Sequence, residues 1–271
     1  MPVINTNVAA IQARGNFDRV QREMDQSIAR LSSGKRINRA HDDAAGQAIS
    51  GRMTSQIKGL NMQIRNSKDA QSLVNTVEGA LSNINDILQR MRELAVQSSN
   101  GTATAADRGY LDTEMEALSA EIDAIAANTK YNETAVLTDT QFSFFADINI
   151  TGTEIITTAI SATNEGLGVT VAAVEIGATA IVAIAAIDAA ISSVADDRAH
   201  MGAVSNRLDH IIDNLTNVVA NTVAAQSRIQ DADYAVETTA LTRATILQQA
   251  ATSMIAQANA NKNSVMTLIQ G

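Results

Sequence analysis

Few residues in this chain have the types and spacing of a catalytic, phosphate-binding or metal-binding motif. The run Ser33–Arg36 resembles part of a phosphate-binding loop, but Ala29 stands where the first glycine of that loop would be. No Ser or Thr follows Lys35, although the motif needs a hydroxyl there to bind magnesium. Neither a Gly-x-Ser-x-Gly elbow nor an HExxH sequence occurs. The phosphate-loop interpretation therefore fails, and no hydrolase or metalloprotease motif replaces it.

The titratable side chains do not form a convincing cluster either. His41 precedes an Asp pair and His200 follows one, so a carboxylate–imidazole metal site is conceivable at each. A solvated helix or loop face is the favoured alternative, because no two histidines share a helical face four residues apart. Glu114 and Glu116 are two residues apart and would point to different sides of a helix. We predict no catalytic residue, no cofactor and no metal ion.

Composition excludes further function classes. Hydrophobic residues make up 45% of the 271-residue chain, which is enough for a core, but aromatic residues make up only 3%. Small-molecule pockets are usually rich in aromatic groups, so this chain has little material for one. The formal net charge is −9, which disfavours nucleic acid and anionic lipid as partners. The most apolar stretch, Ile176–Ile187, is well short of the roughly 20 residues of a membrane span.

The scarcity of proline, the lack of cysteine and the form of the N-terminus bear on folding and export. Pro2 is the only proline, so every later stretch is free to be helical. Cysteine is absent, which suits a chain that crosses an export channel unfolded, although simple rarity explains it as well. The N-terminus has no apolar signal-peptide core. If the protein is secreted, we expect a route that reads no cleavable signal.

Apolar spacing predicts long helices. The first heptad seam consists of Val74, Val77, Leu81, Ile84, Leu88, Met91 and Ala95. The second consists of Leu111, Met115, Leu118, Ile122 and Ile125, and the third of Val204, Leu208, Ile211, Leu215 and Val218. We expect the first helix to run from near Gln56 to Ser98 and to end with C-cap chemistry at Asn100–Thr102. The second should return antiparallel to it, and all three could share one core.

In the middle of the chain, apolar residues alternate as in β-strands rather than at helical spacing. Phe142–Ile150 alternates in polarity, and Ile155–Ile160 and Gly168–Val174 are short and β-branched. We predict one or two small hairpins near 136–176, followed by a returning helix that starts at about Gly177. The expected fold class is mainly α: a long antiparallel helical bundle or coiled coil of N- and C-terminal segments with a small β-hairpin region in the middle.

Both ends of the chain carry apolar residues at helical spacing. On the N-terminal side they include Ile4, Val8 and Ile11, and on the C-terminal side Leu247, Ala251, Met254, Val265 and Leu268. The C-terminal stripe alternates Ala with Leu or Met and buries little area, whereas ordering each residue costs about 1–2 kcal/mol. We therefore expect both termini to be disordered in the monomer and to fold together on assembly.

Four segments resemble bacterial flagellin. They are Val3–Asn7, RLSSGKRINRAHDDAAGQAIS at 30–50, QRMRELAVQSSNGT at 89–102, and RIQDADYAVETTALTRATILQQAATSMIAQAN at 228–259. The resemblance implies a structural subunit that polymerises into the flagellar filament, secreted through the flagellar export system to the cell exterior. It implies a D0 terminal coiled coil of residues 1–42 and 230–271 in the filament inner core, and a helical D1 domain of residues 43–229. No large outer domain separates the two halves, so the chain resembles a short flagellin.

The resemblance also implies partners. Other subunits, the filament cap and the hook-junction proteins would contact the chain, and an export chaperone would capture the C-terminal helix by its apolar stripe. The segment that includes Gln89 corresponds to one recognised by the vertebrate Toll-like receptor that senses flagellin, and Arg90, Leu94 and Glu114 occupy matching positions. An alternative role for these residues is structural, with Leu94 in the core and the charged pair on the surface, and both roles are compatible.

Other functions remain open at this point. A hook–filament junction protein shares the terminal pattern, and a surface adhesin or effector could carry flagellin-like ends. Some flagellins contain inserted catalytic domains, but this chain has neither an insert nor a catalytic constellation. The long match through the first helix favours the filament subunit.

Overall fold

The computed structural model describes most of the chain as helix. The described residues are 6–138, 162, 163, 166 and 177–270, with side chains included except at 177–180 and 261–270. The elements in this part are α1 (Val8–Ser33), α2 (Ala44–Ser98), α3 (Ala105–Asn128), β1 (Lys130–Tyr131), β2 (Thr134–Ala135), α4 (Gly177–Gln230) and α5 (Tyr234–Gln270). The mainly α fold class with a small antiparallel sheet in mid-chain is confirmed.

The chain divides into two compact units. The terminal unit comprises Met1–Ile57 and Ala220–Gly271, and the central unit comprises Lys58–Val219. The described sheet lies in the central unit, where β1 pairs antiparallel with β2. Its turn residues Asn132 and Glu133 both have positive φ. The strands predicted within Phe142–Val174 lie outside the described residues. Among the described helices, none has a stretch long and apolar enough to span a membrane.

A single seam along α2 organises the central unit. All seven residues predicted for it, from Val74 to Ala95, are buried. The same 3–4 spacing continues toward the N-terminus through Leu60, Gln63, Ser67 and Ala70, which are also buried. Buried residues of α3 and α4, including Ile122 and Leu208, join the same core. Heptad spacing therefore identified the core face of this helix correctly.

The other two seams are partly as predicted. Met115 and Ile122 of α3 are buried, and Leu111, Leu118 and Ile125 pack against the core at their edges. On α4 the seam holds from Val204 to Leu215, but Val218 is 40% exposed. That last position was predicted wrongly because the 4–3 spacing extends beyond the stretch of α4 that this core covers.

Polar links between helices fix their directions. Gln71 Nε2 donates to Asp209 Oδ1 at 2.7 Å, and Arg92 Nε donates to Asp188 Oδ1 at 2.6 Å. Residue numbers rise along α2 as they fall along α4, so these helices are antiparallel. Between α2 and α3, Arg90 Nη2 lies 2.8 Å from Glu114 Oε1. The predicted antiparallel arrangement of α2 and α3 is confirmed.

The start of α2 differs from the prediction. The helix starts at Ala44 rather than near Gln56, because Asp43 Oδ1 accepts a hydrogen bond from the Gly46 N–H at 2.9 Å and so caps the first turn. Its C-terminal end at Ser98 is as predicted. The following turn needs no left-handed glycine, since Gly34 is the only described glycine with positive φ. Hydrogen bonds such as Ala103 N to Asn100 O, at 3.1 Å, close that turn instead.

Candidate functional site

The run that resembled a phosphate loop forms a joint between chain segments. Gly34 ends α1 in the left-handed conformation, with φ of 69°. The Arg36 N–H donates to Gln230 O at 2.7 Å, and the Ala232 N–H donates to Gly34 O at 3.0 Å. The Arg36 guanidinium donates to Ile229 O at 2.7 Å. These groups therefore bind backbone from the C-terminal half of the chain. We name this the 34–36/230–232 joint.

The acidic and histidine residues that follow the joint shape a loop. Asp42 Oδ2 accepts the N–H groups of Arg39 at 2.9 Å and Asn38 at 3.1 Å. The Arg39 N–H is the main reason why the pKa of Asp42 lies below its usual value. His41 Nε2 lies 3.3 Å from Asp42 Oδ1 and is largely exposed. Within the described ranges, no group of three or more His, Cys, Asp or Glu side chains could hold a metal ion.

Helices α1 and α5 pack side by side in the terminal unit. Asn7 Nδ2 donates to Ala258 O at 3.1 Å, and Gln248 Nε2 donates to Gln21 Oε1 at 2.6 Å. Near the joint, the Tyr234 hydroxyl donates to Leu31 O at 2.9 Å. The pairing order shows that the two helices are antiparallel along most of their length.

The contact between α1 and α5 uses smaller residues than predicted. Val20 and Ala244 are the buried apolar side chains among those described in these two helices. Ala251, which was predicted for the seam, is half-buried and lies seven residues from Ala244 on the same face. Ala-rich seams let helices approach closely but bury little area, so this pair is held by many small contacts.

The larger predicted seam residues are only partly covered. Val8, Ile11, Leu247 and Met254 are 49%, 62%, 43% and 64% exposed. Their place in the seam of the terminal coiled coil stays a prediction. The Ile4, Val265 and Leu268 side chains lie outside the described set. The terminal unit thus presents exposed apolar side chains on both helices.

An ion pair connects α1 to the start of α5. Arg30 Nη1 lies 2.9 Å from Glu237 Oε1, and the Glu237 carboxylate is largely buried. Arg30 Nε also donates to Arg36 O at 3.1 Å. Sequence analysis missed this pair, since its members are 207 positions apart and nothing local links them. The pair ties the joint to the antiparallel helices.

A second polar cluster in the terminal unit connects α2 to α4. Gln226 Nε2 donates to Thr54 Oγ1 at 2.6 Å and to Ser50 O at 3.2 Å. The Ser50 hydroxyl donates to Gln230 Oε1 at 3.0 Å. Ser50 is buried, so these bonds satisfy a polar group away from water. No heptad of large apolar residues marks this stretch, and sequence analysis did not single it out.

The predicted receptor-binding residues form a charged patch on α2 and α3. Arg90 donates to Glu114 Oε1 through Nε at 3.0 Å and through Nη2 at 2.8 Å. It also pairs with Glu93 at 3.0 Å. The hydrogen bond with Glu114 is the main reason why the pKa of Arg90 is raised. Gln89 is exposed beside them, but Leu94 is 1% exposed and belongs to the core.

Both halves of the chain match known protein families. Residues 4–142 match the model of the bacterial flagellin N-terminal helical region, and residues 184–269 match that of the bacterial flagellin C-terminal helical region. The chain belongs to the bacterial flagellin family. Flagellins are structural proteins of the flagellar filament, so this chain is a structural protein and not an enzyme.

Flagellin relatives align along the whole chain. A flagellin of Halalkalibacterium halodurans is 41% identical over 99% of this chain and 100% of its own length. The flagellin of Bacillus subtilis strain 168 is 38% identical over 98% of this chain and 99% of its own length. The crystal structure of Bacillus cereus flagellin is 37% identical, with a TM-score of 0.51, and covers 60% of this chain and 94% of that chain.

A more distant structure shares the fold. It is that of a putative flagellar hook-associated protein from Vibrio parahaemolyticus, with a TM-score of 0.61 and 14% identity over 70% of this chain and 100% of that chain. At this identity the likeness concerns fold alone.

Proposed function

We propose that the chain is exported unfolded and polymerises outside the cell into the flagellar filament. The observation that supports this is the uncovered apolar surface of the α1–α5 pair. Leu247 and Met254 of α5 and Ile11 of α1 are exposed although each could be buried. Leu247 and Met254 are seven residues apart, so they share one face of α5, and an exposed apolar face is typical of a protein–protein contact. Other copies of the chain are the partners that flagellin membership implies.

Energetics favour the same interpretation. Burying a Leu or Met side chain contributes about 1.5–3 kcal/mol, and Ala contributes much less. Residues 8–33 and 234–270 are helical in the structure, and their disorder in the free monomer stays a prediction. However, the contact of α1 with α5 buries little apolar area against the entropy of ordering two long helices. Lateral contacts with other subunits would supply the missing stabilisation, so we propose that these helices gain stability on assembly.

Seeded polymerisation tests this proposal. Purified chain is added to short filament seeds, and pelletable mass and helical content are followed together. We expect wild-type growth with a gain in protection of α1 and α5 from hydrogen exchange. Leu247→Asp together with Met254→Asp should slow growth at least about tenfold, because each places a charge in an apolar contact.

The control is Gln249→Asp, which adds one such negative charge at an exposed polar position of α5. It should polymerise close to the wild-type rate. A wild-type chain that stays soluble with seeds would refute the filament role. It would favour the alternative role of a hook–filament junction protein.

The D0 and D1 assignment is part of this proposal. Residues 1–42 with 230–271 would form the filament inner core, and 43–229 the surrounding helical domain. The 34–36/230–232 joint supports a boundary at this level, because both chain segments leave helical conformation there. Limited proteolysis of the monomer should cut first near residues 34–43 or 231–233, and cuts confined to the middle of α2 would contradict the boundary.

We also propose that an export chaperone binds α5. Arg243, Ile246, Leu247 and neighbouring Thr side chains line a shallow groove on this helix. An exposed apolar stripe of this kind suits a helix-in-groove partner. Deletion of residues 231–271 should abolish binding of the chaperone, whereas Ile11→Asp on α1 should leave it unchanged. Equal binding by the deletion variant would refute this assignment.

Recognition by the vertebrate Toll-like receptor is proposed for the charged patch. Arg90, Glu93 and Glu114 are exposed and available, and Gln89 extends the surface. Leu94 would act from the core, by holding α2 in place, rather than by contact. Arg90→Asp should lower receptor activation by the monomer and weaken assembly, because it places like charges together. Unchanged signalling would rule out the receptor assignment.

A further inference from the structure

Charge is distributed unequally between the two units. The terminal unit carries eleven Lys and Arg side chains against eight Asp and Glu, whereas the central unit carries nine against twenty-one. The central unit therefore carries a net charge of −12 and the terminal unit +3, which together give the −9 of the whole chain. Copies that met only through central units would repel each other. Contact between the terminal unit of one copy and the central unit of another would be attractive.

The terminal unit contains a pocket, lined mainly by charged side chains, that could make such a contact. It has a volume of about 590 Å³ and lies between the second half of α1 and the loop 38–42. Its lining includes the side chains of Arg19, Arg22 and Arg39. All three are exposed and, within the described part of the chain, make no ion pair. The fourth arginine of the pocket, Arg30, is already paired with Glu237.

Acidic side chains are also present in the pocket, but most are already engaged. Asp42 accepts hydrogen bonds from two backbone N–H groups, and Asp25 accepts one from Gln21 at 3.0 Å. Glu23 is the remaining acid of the lining. Each guanidinium carries five N–H donors in a planar fork that matches a carboxylate. The pocket therefore has an excess of unused donors and fits carboxylate groups from outside.

Beyond Arg108, helix α3 is acidic with no basic residue. Residues 109–129 contain five Asp and Glu residues and no Lys or Arg. Glu114 is paired with Arg90, but Glu116 and Glu121 are exposed and have no ion pair among the described residues. They are five residues apart, so they lie about 140° apart around the helix axis, on the two sides of its exposed face. By contrast, the acidic residues of α4 are interspersed with Arg198, Arg207 and two histidines.

We propose that the pocket formed by α1 and loop 38–42 receives the α3 carboxylates of a second copy of this chain, chiefly Glu116 and Glu121. The proposal rests on the proposed self-assembly and specifies which surfaces meet. Opposite charges steer association and reject wrong pairings more than they raise final affinity. The contact would therefore set the rate and register with which an incoming subunit docks.

Charge exchange in the full chain tests this proposal. Arg19→Glu with Arg22→Glu should lower the rate of seeded elongation at least about tenfold at low salt. Glu116→Arg with Glu121→Arg reverses the charge on the other partner and should lower the rate by a similar factor. Mixing the two variants, or combining all four changes in one chain, should restore most of the rate. Helical content of each variant is measured first, and a second pair, Arg19→Gln with Arg22→Gln, serves if the reversal unfolds the helix.

The control reverses charges elsewhere: Arg65→Glu with Lys68→Glu, at exposed positions of α2. It should elongate within a few-fold of wild type. If wild type does not elongate, the proposed function fails. If wild type elongates and the pocket variants elongate equally fast, only the present proposal fails. If the pocket variants are slow but the α3 changes do not restore them, the pocket contacts something other than α3 and the proposal is overturned.

Discussion

Gly46 is the position where one added methyl group should be most informative. It lies in the first turn of α2, and a Cβ built there would be 2.5 Å from Asp43 Oδ2 and 2.6 Å from Ile37 Cδ1. Asp43 caps the helix by accepting the Gly46 N–H. Ile37 is 2% exposed and has little room to move. In Gly46→Ala, both side chains must therefore shift.

The size of the effect follows from three terms. Alanine in place of glycine favours a helix by about 1 kcal/mol. Loss of the cap costs about 0.5–2 kcal/mol, and overpacking against a buried side chain costs about 1–3 kcal/mol. The unfavourable terms win, with a net loss of about 2 kcal/mol, or about a 30-fold rise in local opening. Gly51 in the same helix has no atom within 4 Å of its added Cβ, so Gly51→Ala should gain about 1 kcal/mol.

Hydrogen exchange of the amides in residues 44–57 measures both variants locally, and circular dichroism on urea titration gives the global effect. Gly46→Ala should exchange faster than wild type, and Gly51→Ala more slowly. Equal stabilisation by the two substitutions would show that the start of α2 is loosely packed and that the close approach to Ile37 has been misjudged.

Three further changes in the central unit have definite expected outcomes. Leu88 is completely buried, so Leu88→Ala should lower the free energy of unfolding by about 2–5 kcal/mol, seen as an earlier urea midpoint. Gln63 is buried and its Oε1 has no hydrogen-bond partner in the described structure, so Gln63→Leu should raise stability by about 1–3 kcal/mol, and a loss would indicate a hidden partner. Burial, as the main cause, raises the pKa of Asp197 above 3.8, so the folded state binds its proton more tightly than the unfolded state. Stability should fall as pH rises from about 3.8 through the raised pKa, and Asp197→Asn should remove this slope; an unchanged pH profile of the unfolding midpoint would contradict the assignment.

The parts of the fold that were predictable depend on large apolar residues at regular spacing. The α2 seam from Val74 to Ala95 could be predicted from the sequence because residues of the same chain cover it along its whole length. The start of α2 could not, since it is set by the cap from Asp43 rather than by an apolar stripe. Gly34 carried a signal that sequence analysis missed: a glycine after a helical run is a common C-cap. The resemblance to a phosphate loop drew attention to the wrong chemistry.

The terminal helices show a different limit. Leu247 and Met254 were assigned to the α1–α5 seam because their spacing matches a helical stripe. Within a single chain the smaller Ala244 is buried, whereas Leu247 and Met254 stay partly exposed. Sequence spacing identifies which residues share a face, but it does not say whether the same chain or another one covers that face.

The regular spacing of α2 has a consequence for how its alignment is specified. A seam that repeats every seven residues looks much the same after a slide of one heptad, so apolar packing alone leaves the alignment of α2 with α4 ambiguous. The polar pairs between α2 and α4 remove this ambiguity, because each pair forms in one alignment only. Gln71–Asp209, Glu78–Arg198 and Arg92–Asp188 lie at three separate levels, and a slide of seven residues would separate all three pairs at once. Bonds that each contribute little to stability can together select one alignment from several nearly equivalent ones.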